Sequence, residues 1–247
     1  MSDTIAFITG GNRGIGLETA RQLAKLGVLP VIGSRNLKSG GDAVAALASE
    51  GLTAEAIEFD VLSAAHHQDA FDYFSNRFGR LDVLINNAGI HREGTPGGEP
   101  PYTASTTPLD IIRETMEANF FSTVAITDKL LPLVRKSAAG RIVNLSTILA
   151  SLTLMADPSS PIYSMKSLAY DTSKVAINSY TIQLARELSG TPIKVNSAHP
   201  GWVQTEMGGP NAMIDVVEGA KTSVQLATLG SDGATGGFFH LGQPLPW

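Results

Sequence analysis

Residues 4–27 read TIAFITGGNRGIGLETARQLAKLG. The run from Thr4 to Thr9 is apolar and rich in β-branched residues, which predicts a strand buried on both faces. After the glycines, apolar residues recur at helical spacing up to Gly27, a residue typical of a helix C-terminus. Strand, glycine loop and helix together predict a phosphate cradle, because glycines let the backbone approach a pyrophosphate and the helix N-terminus stabilises its charge.

The glycine spacing from Gly10 to Gly16 is Gly-x-x-x-Gly-x-Gly. It departs from the usual dinucleotide pattern, Gly-x-Gly-x-x-Gly. The alternative interpretation is a glycine-rich turn that binds nothing.

The second strand-like run covers residues 28–34 and contains Pro30, so the regular strand is expected to start at or after that proline. In a dinucleotide-binding fold, an acidic residue at the end of this strand binds the adenosine ribose. Here Ser34 and Arg35 stand in its place. An arginine favours a 2′-phosphate, and Arg13 of the glycine loop can join it. The alternative is that both arginines are solvated surface residues.

Strand-like and helix-like segments alternate along the rest of the chain, without an obvious linker. This pattern predicts one doubly wound α/β domain of the Rossmann type over residues 1–247, with a parallel sheet of about seven strands. Further strands are predicted at 54–59, 81–85, 141–146, 193–198 and 236–240. Helices are predicted at 42–50, 64–78, 109–137 and 215–229, and a further helix is predicted from residue 163 or 168 to 189. His66 and His67 diverge on a helix, so we expect surface residues and no metal site.

Composition narrows the possible functions. The chain has 247 residues, a net charge of −5 and no cysteine, which excludes disulfides and thiolate metal sites. The absence of a strong basic block argues against nucleic acid as the main partner. Neither a signal-peptide pattern nor a long apolar stretch is visible, so we expect a cytoplasmic, soluble protein that acts on a small molecule and not on a membrane.

Tyr170 and Lys174 are the strongest catalytic candidates. A spacing of four places both on one helix face, where an ammonium can lie beside a phenol. At about 4 Å and an effective dielectric of about 20, the ammonium stabilises phenolate by roughly 4 kcal/mol. We therefore expect a lowered pKa for Tyr170, although desolvation opposes this shift. Ser146 ends a predicted strand at the ligand edge. Asn119 lies in mid-helix, where an asparagine suggests a hydrogen-bonding role, with a side chain that simply faces water as the alternative.

Two irregular segments are expected to shape the substrate cleft. His91 to Pro108 is rich in Gly, Pro, Ser and Thr and is too long for a simple connector, so it is predicted to be a cleft rim or a flap. Leu152 to Ser167 separates Ser146 from Tyr170 and should lie over the cleft, with Tyr163 lining it. Six residues suggest an apolar, adaptable pocket, with ordinary core packing as the alternative: Leu152, Leu154, Met155, Trp202, Met207 and Met213.

Taken together, these residues resemble the short-chain dehydrogenase/reductase family over essentially the whole chain. The matching positions occur in the family's order and are Thr9-Gly10-x-x-x-Gly14-Ile15-Gly16, Asp60, Asn86-Asn87-Ala88-Gly89, Asn119, Ser146, Tyr170-x-x-x-Lys174 and Pro200-Gly201. The run from Pro200 to Thr205 and the C-terminal segment are most similar to the carbonyl reductase group, whose members use NADPH. In that group a larger insertion before the tyrosine accompanies monomeric enzymes. The shorter insertion here leaves monomer, dimer and tetramer open.

The resemblance implies that NADPH delivers hydride to a ketone or aldehyde while Tyr170 protonates its oxygen. Lys174 would hold the nicotinamide ribose, Ser146 would orient the substrate oxygen, and Asn119 would position a water that resupplies protons. The predicted NADP(H) site comprises Gly10, Asn12, Arg13, Gly14, Ile15, Gly16, Ser34, Arg35, Asp60, Val61, Asn87, Ala88, Gly89, Tyr170, Lys174, Pro200, Gly201, Val203 and Thr205. The alternatives are an NADP-binding redox sensor without turnover and an alcohol dehydrogenase that works in the oxidative direction.

Overall fold

The computed structural model describes residues 4–94, 98 and 101–247. Residues 95–97, 99 and 100 of the predicted cleft-rim segment, and the three N-terminal residues, lie outside that range. The strands are β1 (Ile5–Thr9), β2 (Leu29–Ser34), β3 (Glu55–Glu58), β4 (Val83–Asn86), β5 (Arg141–Leu145), β6 (Lys194–Ala198), β7 (Phe238–His240) and β8 (Gln243–Pro244). The helices are α1 (Gly14–Lys25), α2 (Leu37–Ser49), α3 (Ala64–Phe78), α4 (Leu109–Met116), α5 (Ser122–Val134), α6 (Leu152–Ala156), α7 (Leu168–Glu187) and α8 (Val216–Ala227).

The strands form one sheet in the order β3-β2-β1-β4-β5-β6-β7-β8. The first seven in this order run parallel, and the short β8 pairs antiparallel with β7. The predicted doubly wound α/β fold is therefore confirmed. The chain builds outward in both directions from β1 and β4, and ligands of such sheets bind where the strand order reverses, outside the carboxyl ends of the strands.

Both faces of the sheet are buried, as the apolar run of β1 indicates. Ile5 and Phe7 point into one core, where Phe7 packs edge-on against Phe59. Ala6 and Ile8 point into the other core. Helices α3, α5 and α7 cover the first face, and α1, α2 and α8 cover the second. This packing fixes the strand ends that carry the site.

Strand β2 includes Pro30, contrary to the prediction that it starts at or after that residue. Leu29 donates to the carbonyl of Thr4, and β3 begins to pair only opposite Val31. The missing N–H of Pro30 therefore faces the side on which the neighbouring strand has not yet started, so no ladder bond is lost.

The predicted helix over 109–137 is interrupted by a π-helical turn from Glu117 to Phe121, which contains Asn119. Such turns insert one residue into a helix and often mark functional sites. Helix α2 begins five residues before the predicted start, because Asn36 accepts a hydrogen bond from Ser39 N and caps it.

His67 was expected at the surface but is buried. Its Nε2 lies 2.9 Å from the Val61 carbonyl oxygen, and its ring stacks on Phe59. Burial lowers the pKa of His67, which favours the neutral ring. Within the described ranges, no helix has both the length and the apolar character that a bilayer crossing requires.

Candidate active site

The glycine loop has the conformation that a phosphate cradle needs. Gly10 and Gly14 have φ values of 63° and 54°, a region that side chains other than glycine's rarely adopt. A Cβ atom on Gly16 would lie 2.6 Å from both the Gly10 carbonyl oxygen and the Asn87 amide nitrogen. Only glycine fits at that position, and the first turn of α1 can therefore approach an anion closely.

The end of β4 is tied to the glycine loop. Asn87 Nδ2 donates to the carbonyls of Thr9 and Gly10 at 2.8 and 3.1 Å. Thr9 Oγ1 in turn accepts from the backbone N–H groups of Asn87 and Ala88, each at 3.0 Å. Asn86 points the other way, into the core, where Nδ2 donates to Asn144 Oδ1 at 2.8 Å. The two adjacent asparagines thus have different roles. Asn87 holds the glycine loop beside the cleft, and Asn86 connects β4 to β5.

A single cleft of about 2060 Å³ runs along the carboxyl edge of the sheet. Its lining includes every residue of the predicted NADP(H) site and Ser146. Asn119 is not part of the cleft lining and lies beneath it. Its Nδ2 donates to the carbonyl of Ile90 at 2.9 Å and to Ser173 Oγ at 3.0 Å. Its Oδ1 accepts a hydrogen bond from Ile90 N at 2.8 Å. The asparagine therefore fixes the backbone at the cleft floor next to Gly89.

Two arginines lie at one end of the cleft. Arg35, at the end of β2, is exposed, and Arg13 forms an ion pair with the equally exposed Glu206. Exposed ion pairs contribute little to stability, so a phosphate can replace Glu206 as the partner of Arg13 at small cost. The loop and this end of the cleft can together hold a pyrophosphate and a second phosphate group.

The middle of the cleft holds Ser146, Tyr170 and Lys174. Ser146 Oγ is buried and has no hydrogen-bond partner among the described residues. Lys174 Nζ donates to the Leu145 carbonyl at 2.8 Å and lies 5.9 Å from the centroid of the Tyr170 ring. A buried hydroxyl without a partner costs free energy unless a ligand satisfies it, so Ser146 marks a position for a polar ligand atom.

The pKa of Tyr170 is raised, contrary to the lowering expected from the sequence. Burial is the main cause, and the negative charge of Asp171 adds to it. Burial also lowers the pKa of Lys174 to about 8. The expectation was wrong because it gave the attraction of the Lys174 ammonium more weight than the desolvation of the phenol; the ammonium donates a hydrogen bond to the Leu145 carbonyl. Desolvation of the buried phenol therefore dominates.

The insertion before Tyr170 covers the cleft only with its second half. Ile162 and the residues from Ser164 to Ser167 line the cleft, whereas α6 does not contribute. Helix α6 instead contacts the last residue of the chain, since Thr153 N donates a hydrogen bond to the carbonyl of Trp247. Of the six expected pocket residues, Trp202, Met207 and Met213 line the cleft and Leu152, Leu154 and Met155 do not. Tyr163 is also outside the lining, with 47% of its surface exposed.

The sequence does not indicate a role for two residues beside the cleft. His91 lines the cleft beside Tyr170, and the neighbouring Glu93 is buried against the start of α7. Both follow β4 in an irregular segment that carries no periodic pattern. No local signal distinguishes them from other loop residues.

We expect Asp171→Asn to flatten the pH dependence of stability. Burial raises the pKa of the Asp171 carboxyl to about 7 from its usual 3.8, against a hydrogen bond from Ser167 N that lowers it. Since the folded pKa exceeds the unfolded one, the native state binds the proton more tightly, and its contribution to stability is lost as pH rises from about 4 to about 7. At pH 8 the variant should be more stable than the wild type by roughly 2–4 kcal/mol. Urea unfolding at several pH values measures this difference, and parallel curves for the two proteins would contradict it.

Comparison with known proteins agrees with this geometry. The family model described as short chain dehydrogenase matches residues 4–213. Human carbonyl reductase [NADPH] 1 is 32% identical, with 92% of each chain covered, and (+)-neomenthol dehydrogenase from Capsicum annuum is 29% identical over 97% of this chain and 96% of its own. The NADPH-bound carbonyl reductase from chicken fatty liver shares the fold, with a TM-score of 0.84, 24% identity and full coverage of both chains. The chain therefore belongs to the short-chain dehydrogenase family.

Proposed function

We propose that this chain is an NADPH-dependent carbonyl reductase that converts a ketone or aldehyde into an alcohol. The observation that carries the proposal is the buried, unpartnered Ser146 hydroxyl in the same cleft as Tyr170, Lys174 and the glycine cradle. The name of the human relative supports both the reaction and the cofactor. Arg13 and Arg35 support NADPH over NADH, because a 2′-phosphate needs cationic partners and β2 ends without a carboxylate that would repel it.

The residues of the cradle fit a dinucleotide. Gly14, Ile15 and Gly16 would hold the pyrophosphate at the start of α1, Arg13 and Arg35 the 2′-phosphate, and Lys174 the nicotinamide ribose. NADPH, when bound, supplies the hydride that reduces the carbonyl carbon. Residues of this chain orient the substrate and transfer the proton.

The proton moves from Tyr170 to the carbonyl oxygen. Ser146 Oγ donates a hydrogen bond to that oxygen and orients it, which satisfies the buried hydroxyl. The raised pKa of Tyr170 keeps the phenol protonated at neutral pH, as an acid catalyst requires, and an alkoxide is a stronger base than phenolate. Once phenolate forms, the Lys174 ammonium, which lies 5.9 Å from the centroid of the Tyr170 ring, stabilises its negative charge. With a pKa of about 8, Lys174 is charged at neutral pH and can also return a proton.

A substrate panel tests the proposal. The purified protein should oxidise NADPH in the presence of aldehydes, cyclic ketones or dicarbonyl compounds, with one alcohol formed per NADPH consumed, and more slowly with NADH. Loss of nicotinamide absorbance and product chromatography measure both quantities. Tight NADPH binding without carbonyl-dependent oxidation across the panel would instead indicate a binding or sensor protein. Activity confined to alcohol and NADP⁺ would indicate an oxidative enzyme.

A further inference from the structure

The catalytic helix α7 has an unusual N-terminus. Ser167 occupies the N-cap position, where a serine hydroxyl normally accepts a hydrogen bond from the first turn. This hydroxyl makes no capping bond; its Oγ lies 3.0 Å from Nε2 of His91 instead. The first turn therefore needs another acceptor, and that turn contains Tyr170.

Glu93 supplies the acceptor from a distant part of the chain. Its Oε2 accepts a hydrogen bond from Tyr170 N at 2.8 Å, although the two residues are 77 positions apart. Glu93 is 1% exposed, and its Oε1 has no partner among the described residues. A carboxylate at a helix N-terminus is stabilised by the helix dipole, and hydrogen bonds to charged acceptors are stronger than neutral ones. The contact thus fixes the backbone of Tyr170 itself.

The ring of Tyr170 is held from the same segment. The His91 ring meets it edge-on, with centroids 5.1 Å apart and an interplanar angle of 80°. Asp171 Oδ2 accepts from Ser167 N at 3.1 Å and completes the turn. His91 and Glu93, which follow the end of β4, therefore contact both the ring and the backbone of the tyrosine.

We propose that Glu93 is a positioning residue for carbonyl reduction: its carboxylate caps the catalytic helix and, with His91, fixes the Tyr170 phenol relative to Ser146 and the substrate. The inference rests on the proposed function of Tyr170 as the acid. Proton transfer depends steeply on geometry, and a displacement of about 1 Å can cost on the order of 100-fold in rate. Without the cap, the first turn of α7 loses an acceptor and the phenol samples more positions.

Two substitutions separate positioning from general stability. Glu93→Ala removes the acceptor and should lower kcat about 10- to 100-fold. The Kd for NADPH should stay the same, because the cradle is untouched. Glu93→Gln keeps an amide oxygen for Tyr170 N and should restore most of kcat. Asp215→Ala is the matched control, since Asp215 caps α8 by accepting from Glu218 N at 2.9 Å and lies outside the cleft lining.

The concentration of NADPH-binding sites is measured by fluorescence titration well below the melting temperature. Each rate is divided by this concentration, so that unfolded protein does not lower kcat. A wild-type kcat per site in Glu93→Ala, or an equal loss in Asp215→Ala, would overturn the inference.

Hydrogen exchange gives a readout that does not need turnover. In Glu93→Ala, the amides of residues 167–171 should exchange at least about tenfold faster than in the wild type, since the Tyr170 N–H loses its acceptor. In Asp215→Ala the same peptide should be unchanged. Unaltered exchange in Glu93→Ala would refute the cap even if the wild type reduced no carbonyl compound, so failure of the reaction and failure of the cap are distinguishable.

Discussion

Tyr170→Phe should lower kcat by roughly 10³- to 10⁴-fold while the Kd for NADPH stays close to that of the wild type. The variant keeps the ring, and with it the edge-on contact with His91, and loses only the hydroxyl that donates the proton. Ser146 can still orient the substrate oxygen, so the KM for the carbonyl compound should change little. Steady-state kinetics with the best substrate of the panel and a fluorescence titration of NADPH measure the two effects.

Tyr180→Phe is the matched control for this experiment. Tyr180 lies on the same helix, is largely buried and has a pKa raised to about 12 by burial, but it lies outside the cleft lining. Its loss should leave kcat within about twofold, because a phenol remote from the reacting atoms takes no part in proton transfer. A Tyr170→Phe enzyme with near wild-type rates would remove the tyrosine from the mechanism.

Arg35→Asp should reverse the cofactor preference. The exposed arginine at the end of β2 lines the cleft, and its replacement removes a cation and places a carboxylate where the 2′-phosphate is proposed to bind. A charge-assisted hydrogen bond contributes about 1.5–3 kcal/mol, so kcat/KM for NADPH should fall by roughly 100-fold. The value for NADH should stay the same or rise, because a carboxylate at this position can accept from the ribose hydroxyls.

The control for net charge is Arg186→Asp, at an exposed arginine near the end of α7 and outside the cleft lining. It changes the charge of the protein by the same amount and should leave the ratio of NADPH to NADH efficiency unaltered. An equal loss with both cofactors in Arg35→Asp would mean that this arginine does not contact the 2′-phosphate.

The parts of the protein that the sequence predicts well are those set by local patterns. The apolar run of β1 and the helical spacing after Gly16 determine a strand and a helix within one short segment. Tyr170 and Lys174 lie one turn apart, so their common face follows from helix geometry alone. The same reasoning could not separate Asn86 from Asn87, because both faces of a parallel sheet are covered and neither direction is marked as the ligand side.

The features that could not be predicted depend on contacts between distant segments. Glu93 meets Tyr170 across 77 positions, and nothing in its neighbourhood indicates that contact. The raised pKa of Tyr170 depends on how completely the fold excludes water from the phenol. The role of α6 depends on Trp247, at the far end of the chain. Local composition carries no information about any of these.

Strand β8 has a consequence for behaviour at high concentration. A sheet that ended at β7 would present unpaired N–H and C=O groups to any passing molecule with a free strand. The last strand is two residues long, and Pro244 opposite Phe239 has no N–H to donate. A strand of another molecule would therefore have almost no free backbone N–H and C=O groups with which to pair on that side. This border of the sheet is therefore protected against the edge-to-edge association that leads to aggregation.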